Sequence, residues 1–201
     1  MKRITGFLLI GFTIFFVAAC ATMPARGGLK TAVNIESVVF YENMDFFDKS
    51  GEKKELGKLS QEEYERDIRV VFSGVREDAF SKEISETFRK KFIEELEDSG
   101  FEKKPDAAIT IKTEMAFGTR AIDPSGQLLE SRYLQVRISV FRDAVLLFEK
   151  KSLLQAPIFL KAIVIGGPEV LANRLAKEIA IQFSKELTAY FTQQAPSISK
   201  K

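Results

Sequence analysis

The chain has 201 residues, 30 basic and 28 acidic side chains, one cysteine and no histidine. That length suffices for a single folded core. A formal net charge of +2 gives no field that would draw a polyanion, which argues against nucleic acid as a partner. The absent histidine removes the usual general base near neutral pH and the commonest metal ligand, and a lone cysteine excludes a disulfide within the chain. No cofactor and no metal site are expected.

The chain opens on Met1-Lys2-Arg3, followed by an apolar run from Gly6 to Val17. Such a run has the length of a secretory h-region and falls short of the roughly 20 apolar residues a spanning helix needs. Val17-Ala18-Ala19-Cys20 follows directly and resembles the bacterial lipoprotein signal: an aliphatic residue, two small residues, then cysteine. The resemblance implies that residues 1–19 are removed, that the Cys20 thiol is diacylglycerylated, and that the new amino group is acylated. The alternative is a buried core cysteine behind an uncleaved helix. Each buried methylene adds about 0.8 kcal/mol, so several acyl chains would anchor the protein to a membrane without spanning it. Loss of Lys2 and Arg3 would leave 28 basic against 28 acidic side chains. Ala21, where an aspartate favours the inner membrane in such proteins, implies an outer-membrane location with the domain facing the periplasm.

Residues 20–30 read as a tether punctuated by Pro24, Gly27 and Gly28. A single domain is expected over 31–192, its first part, 31–67, partly irregular. Ala32 to Tyr41 is rich in β-branched and aromatic residues and predicts a strand. Glu42 to Arg66 is charged and predicts a solvated loop, with a turn of helix at Gln61 to Arg66. Ile68 to Phe72 predicts a short strand. Phe80, Ile84, Phe88, Phe92 and Leu96 recur every four residues, the mark of an amphipathic helix. Asp78 or Ser81 can cap it, and Ser99-Gly100 ends it with Phe101 placed to pack over the last turn.

Ile109, Ile111, Met115 and Phe117 alternate with polar residues and predict a strand with one wet face. Asp123-Pro124-Ser125-Gly126 is a turn. Leu134, Val136, Ile138 and Val140 then face one way and Gln135, Arg137 and Ser139 the other. A tight turn at Arg142-Asp143 returns the chain through Val145 to Phe148. Pro168 suits the first turn of a final helix. Its stripe is Val170, Leu171, Leu175, Ile179, Phe183, Leu187, Tyr190 and Phe191, and 193–201 reads as a disordered tail. The crossover through the first helix predicts parallel flanking strands. The fold class is α/β: a two-layer sandwich of a mixed, mostly antiparallel sheet with two amphipathic helices on one face.

Ser50-Gly51-Glu52-Lys53 has the Ser-x-x-Lys spacing of penicillin-recognising enzymes but lies in a polar loop. Glu94, Glu95, Glu97 and Asp98 read as a solvated helix end, and Gly166-Gly167 as a loop that could otherwise cradle an anion. Leu153 to Ile165 is almost wholly apolar. It reads either as a further strand or a segment packed under the domain, or as an exposed surface, centred on Ile158, Phe159, Leu160, Ile163, Val164 and Ile165, that contacts lipid or a partner. Phe46-Phe47 admits the same two readings. Lys112, Glu114, Gln135 and Arg137 read as a solvated sheet face.

The lipobox, the helix ending in Ser-Gly-Phe, the meander and the segment Leu171-Ala172-Asn173-Arg174-Leu175-Ala176-Lys177-Glu178-Ile179-Ala180 together make a layout similar to the lipopolysaccharide-assembly lipoproteins, the LptE family. The similarity covers roughly 68–191. It implies a small α/β domain seated in an outer-membrane barrel protein and assisting lipopolysaccharide delivery. The expectation is a non-catalytic, lipid-anchored binding or assembly factor. The alternatives are an envelope hydrolase using Ser50 and Lys53, or a structural tether to peptidoglycan.

Overall fold

The computed structural model describes residues 30–55, 61–122, 129–158 and 168–198. Their elements are β1 (Thr31–Phe47), β2 (Lys53–Lys54), α1 (Gln61–Asp67), β3 (Arg69–Val75), α2 (Ala79–Asp98), β4 (Phe101–Lys103), β5 (Ile109–Ile122), β6 (Leu129–Arg142), β7 (Val145–Ile158) and α3 (Pro168–Ile198). The strands form one open sheet in the order β2-β1-β5-β6-β7, with β3 and β4 also paired to β1. Only β4 and β5 run parallel to their neighbour β1; every other pairing is antiparallel.

Alternation fixes which face of the sheet meets the helices. Ile111, Met115 and Phe117 of β5 stand opposite Val140, Val136 and Leu134 of β6. All lie in or against the main core with Ile84, Phe88, Phe92 and Leu96 of α2 and Leu175, Ile179, Phe183 and Leu187 of α3. Ala172, Ala176 and Ala180 are fully buried on α3, and so short a row lets α2 approach closely. Both helices therefore cover one face of a mixed sheet, as the hydrophobic patterns predict. Burying a phenylalanine such as Phe88 stabilises the fold by about 2–3 kcal/mol. The Asp78 carboxylate accepts from the Ser81 backbone N–H at 2.8 Å and caps α2. Gly100, at φ 89°, turns the chain out of the helix. Phe101 opens β4 and meets Phe191 of α3 edge to face, with centroids 5.6 Å apart.

Several expectations are corrected. The segment from Glu42 to Phe47 is strand, because β1 continues and pairs with β3 from Tyr41 to Phe47. The strands flanking α2 are not a parallel pair: β3 runs antiparallel to β1, and β1 is the parallel partner of β5. The return strand does not stop at Phe148 but runs to Ile158, so for Leu153 to Ile158 the strand reading holds, as a continuation of β7. The β6–β7 turn is centred on Asp143 and Ala144, one residue beyond the expected position. Val170 is exposed despite its place on the apolar stripe. α3 is helical through Ala195-Pro196-Ser197 to Ile198. Among the described residues no helix is long and apolar enough to cross a membrane.

Candidate functional site

The largest departure from expectation lies on the sheet face away from α2 and α3. Tyr133, Gln135 and Arg137 of β6 point there, beside Glu114 of β5 and Lys151 and Leu153 of β7, by the same alternation and cross-strand register. This face is covered. The excursion between β1 and α2 folds back over it, so that Phe46, Tyr64, Ile68, Val70 and Leu153 form a second core flanked by Met44, Phe72 and Tyr133. The expectation of a solvated face is overturned for Gln135, which has no exposure, and for Glu114 and Arg137, whose side chains are each 25% exposed. Lys112 keeps the expected exposed position.

Each buried polar group on this face has a partner, as burial requires. Tyr64 donates its hydroxyl to Gln135 Oε1, and Gln135 Nε2 donates to the Val136 carbonyl at 3.2 Å. Arg137 donates through Nε and Nη2 to Glu114 Oε2 at 2.7 and 2.6 Å, and through Nη1 to the Val70 carbonyl at 3.3 Å. Its guanidinium lies 5.0 Å from the centroid of Phe72, which stacks on Tyr41 at 5.1 Å. Tyr41 in turn donates to Glu114 Oε1 at 3.2 Å. Lys151 donates to the Ile68 carbonyl and sits 5.1 Å from the Tyr64 ring centroid.

These surroundings set the ionisation of the face. Burial raises the Tyr64 hydroxyl above its ordinary value. It also raises Tyr41, with the Glu114 charge adding to the effect. Burial pushes the Lys151 ammonium down. Arg137 and Lys151 thus pin alternate backbone carbonyls of the covering segment, Val70 and Ile68, to the sheet. A cavity of about 300 Å³ remains beside them, lined in part by Ile68, Val70, Arg137, Glu149 and Lys151. The arrangement is an interlock of satisfied charges.

A second concavity, of about 480 Å³, lies between β1 and α2. It lies where, among the described residues, no second strand flanks β1. The last backbone bond to the β4 side is Lys104 N–H to Val33 O at 2.9 Å, and the first on the β3 side is Arg76 N–H to Phe40 O at 2.8 Å. Between them, among the described residues, β1 pairs only with β5, and a bulge falls between Ile35 and Val38.

The remaining sequence candidates separate. Cys20, Phe159, Leu160, Ile163, Val164, Ile165 and Gly166-Gly167 lie outside the described residues. Ile158 is the last residue of β7, paired across to Glu130. Leu153 is buried in the second core and Leu154 packs against the main one. Phe46 is buried on Tyr64 with centroids 6.3 Å apart. Ser50 donates its hydroxyl to Asp48 at 2.5 Å while Lys53 pairs with Asp45 at 2.7 Å, so the two side chains serve different carboxylates. Glu94 and Glu95 pair with Lys91 at 3.3 and 2.8 Å on the helix surface. Among the described residues no group of three or more acidic, histidine or cysteine side chains could hold a metal. Sequence reasoning missed Tyr41, Tyr64, Phe72 and Lys151. The i, i+4 spacing of Tyr64 and Ile68 in an otherwise charged segment was the available signal.

No protein-family model matches the chain, and no curated protein sequence does. Among solved structures, a minor lipoprotein from Acinetobacter baumannii is similar at TM-score 0.46 and 10% identity, over 52% of this chain and 84% of that one. Rare lipoprotein B from Shewanella oneidensis is similar at TM-score 0.43 and 11% identity, over 84% and 98%. A protein from Xanthomonas campestris is similar at TM-score 0.41 and 10% identity, over 89% and 93%.

Proposed function

We propose that the protein is a non-catalytic lipoprotein, anchored through acylated Cys20 to the periplasmic face of the bacterial outer membrane, where it acts as a binding or assembly factor. The observation that carries this reading is Val17-Ala18-Ala19-Cys20 directly behind a short apolar run. The first described strand begins at Thr31, so ten residues separate it from Cys20. Fully extended, such a segment spans up to about 35 Å, enough to hold the domain off the membrane surface. The finer reading, after the layout resemblance, is a part in lipopolysaccharide assembly beside a barrel protein, with Ile158, Phe159, Leu160, Ile163, Val164 and Ile165 contacting lipid or that partner.

Two measurements test this. Metabolic labelling with an alkyne fatty acid should mark the wild type and not Cys20→Ser, and Cys20→Ser should leave the outer-membrane fraction. Unlabelled wild type, or a Cys20→Ser protein still fractionating as mature outer-membrane material, overturns the anchoring. Detergent extraction should recover a barrel protein or lipopolysaccharide with the wild type. Recovery as a bare monomer overturns the assembly role, and labelling of Ser50 by a β-lactam probe would establish a hydrolase instead.

A further inference from the structure

The cleft between β1 and α2 has the composition of a ligand site. Its volume of about 480 Å³ falls within the span of small-molecule pockets. Val38 of β1 and Val75 at the end of β3 give it apolar walls beside the buried Phe40, and Val75 is 57% exposed. Arg89 of α2 supplies the contrasting group. Its Nε is shielded from solvent and has no hydrogen-bond partner among the described residues. A guanidinium N–H buried without an acceptor is costly, and the group is built to hold an oxyanion by two parallel bonds.

The other cations at the cleft are differently placed. Arg76 is committed to Asp78, through Nε at 2.8 Å and Nη2 at 2.6 Å, with its guanidinium 4.9 Å from the Phe80 ring centroid. Lys82 is exposed at the rim, as are the carboxylates Glu77 and Glu86. The rim charges are hydrated and screened, whereas the Arg89 Nε is not.

We propose that this cleft binds a small oxyanion, carboxylate or phosphate, carried on an apolar body, with the anion on Arg89 and the body against Val38 and Val75. Among the described residues no second strand flanks Asn34–Val39, which opens the space, and Arg89 lines it from the same α2 face as Ser85 and Ser81, four and eight residues earlier.

The test uses the full chain in detergent, with empty micelles as blank, followed by 19F NMR. Three probes separate head group from body: 4-fluorophenyl phosphate, 4-fluorobenzoate and 4-fluorophenol at neutral pH. One or both anions should saturate, which also identifies the head group, while the phenol binds at least about tenfold more weakly. Arg89→Gln should weaken the bound anion by about tenfold or more. Val75→Glu, at an exposed position that tolerates a new side chain, adds a carboxylate to the cleft and should weaken it as well. Absence of saturation with either anion, a phenol bound as tightly as the anions, or an affinity unmoved by these variants overturns the proposal. Should Arg89→Gln fail to fold, an unmoved affinity in Val75→Glu overturns it alone. Any such failure leaves the anchoring of Cys20 standing, because that is read from fatty-acid labelling.

Discussion

Arg137 of β6 grips Glu114 of β5 across the sheet, both Nε and Nη2 reaching one carboxylate oxygen at 2.7 and 2.6 Å, while Nη1 holds the Val70 carbonyl of β3. One side chain thus ties two sheet strands and the covering segment together. Removing it strands a half-buried carboxylate as well as a backbone carbonyl. Arg137→Ala should therefore cost about 1–3 kcal/mol in urea unfolding. The pair is cooperative, so adding Glu114→Ala should cost less than the sum of the single changes, with a coupling of about 0.5–3 kcal/mol. Strictly additive costs would show that the contact is not formed in solution.

Tyr64 and Gln135 make a second cross-layer bond in a fully buried setting. Tyr64→Phe keeps the ring on Phe46 and removes only the hydroxyl, leaving Gln135 Oε1 without that donor. The expected loss is about 1–3 kcal/mol, with the main core unaffected. Hydrogen exchange should show the change locally, with faster exchange in β3 than in β6. A uniform increase across the sheet would mean that the covering segment does not open on its own.

The main core was legible because its signal is periodic. Phe80 to Leu96 and Leu171 to Phe191 each carry one apolar stripe, and Leu134 to Val140 one apolar face, patterns that only an amphipathic helix and a one-sided strand produce. The covered face was not, because Glu114, Gln135 and Arg137 look the same in sequence whether water or protein lies above them. What buries them is Tyr64, Ile68 and Phe72, brought over the sheet by a segment whose charges read as loop. The length of β1 was hidden for the same reason. Glu42, Asn43 and Asp45 are poor strand formers, and pairing with β3 from Tyr41 to Phe47 overrides that preference. The cleft could not be seen either, since it depends on where β4 ends and β3 begins along β1.

Acid should loosen the chain before it unfolds the core. The Arg76 hydrogen bond, and then the Ser81 backbone N–H, hold Asp78 down at about 2. Arg66, and then Lys49, hold Asp67 at about 2 as well. Unfolded aspartates titrate near ~3.9, so both contributions are fully present above that value and are lost as pH falls towards the folded values. The urea midpoint should be flat above about pH 5 and fall below about pH 4, less steeply in high salt because Asp78 is exposed and Asp67 partly so. Asparagine caps helices without titrating, so Asp78→Asn should flatten the acid limb while largely preserving stability at neutral pH. A variant with an unchanged acid limb would assign the loss to other carboxylates.

The β6–β7 hairpin offers a change in the stabilising direction. Arg142 pairs directly with Val145, leaving Asp143 and Ala144 as the two central turn residues at φ 50° and 66°. Positive φ at both positions matches the twist of the flanking strands, but an alanine there brings Cβ against its own backbone. Glycine removes that strain and adds back part of the benefit as unfolded-state freedom. Ala144→Gly should therefore raise stability by a net of about 0.5–1 kcal/mol. In a domain of this size that is an increase in Tm of roughly 1–4 °C. Ala144→Val should move the other way, since a branched side chain tolerates the left-handed region least. Both positions are exposed, so neither change disturbs packing. A glycine variant that melts with or below the wild type would place this turn in another backbone class.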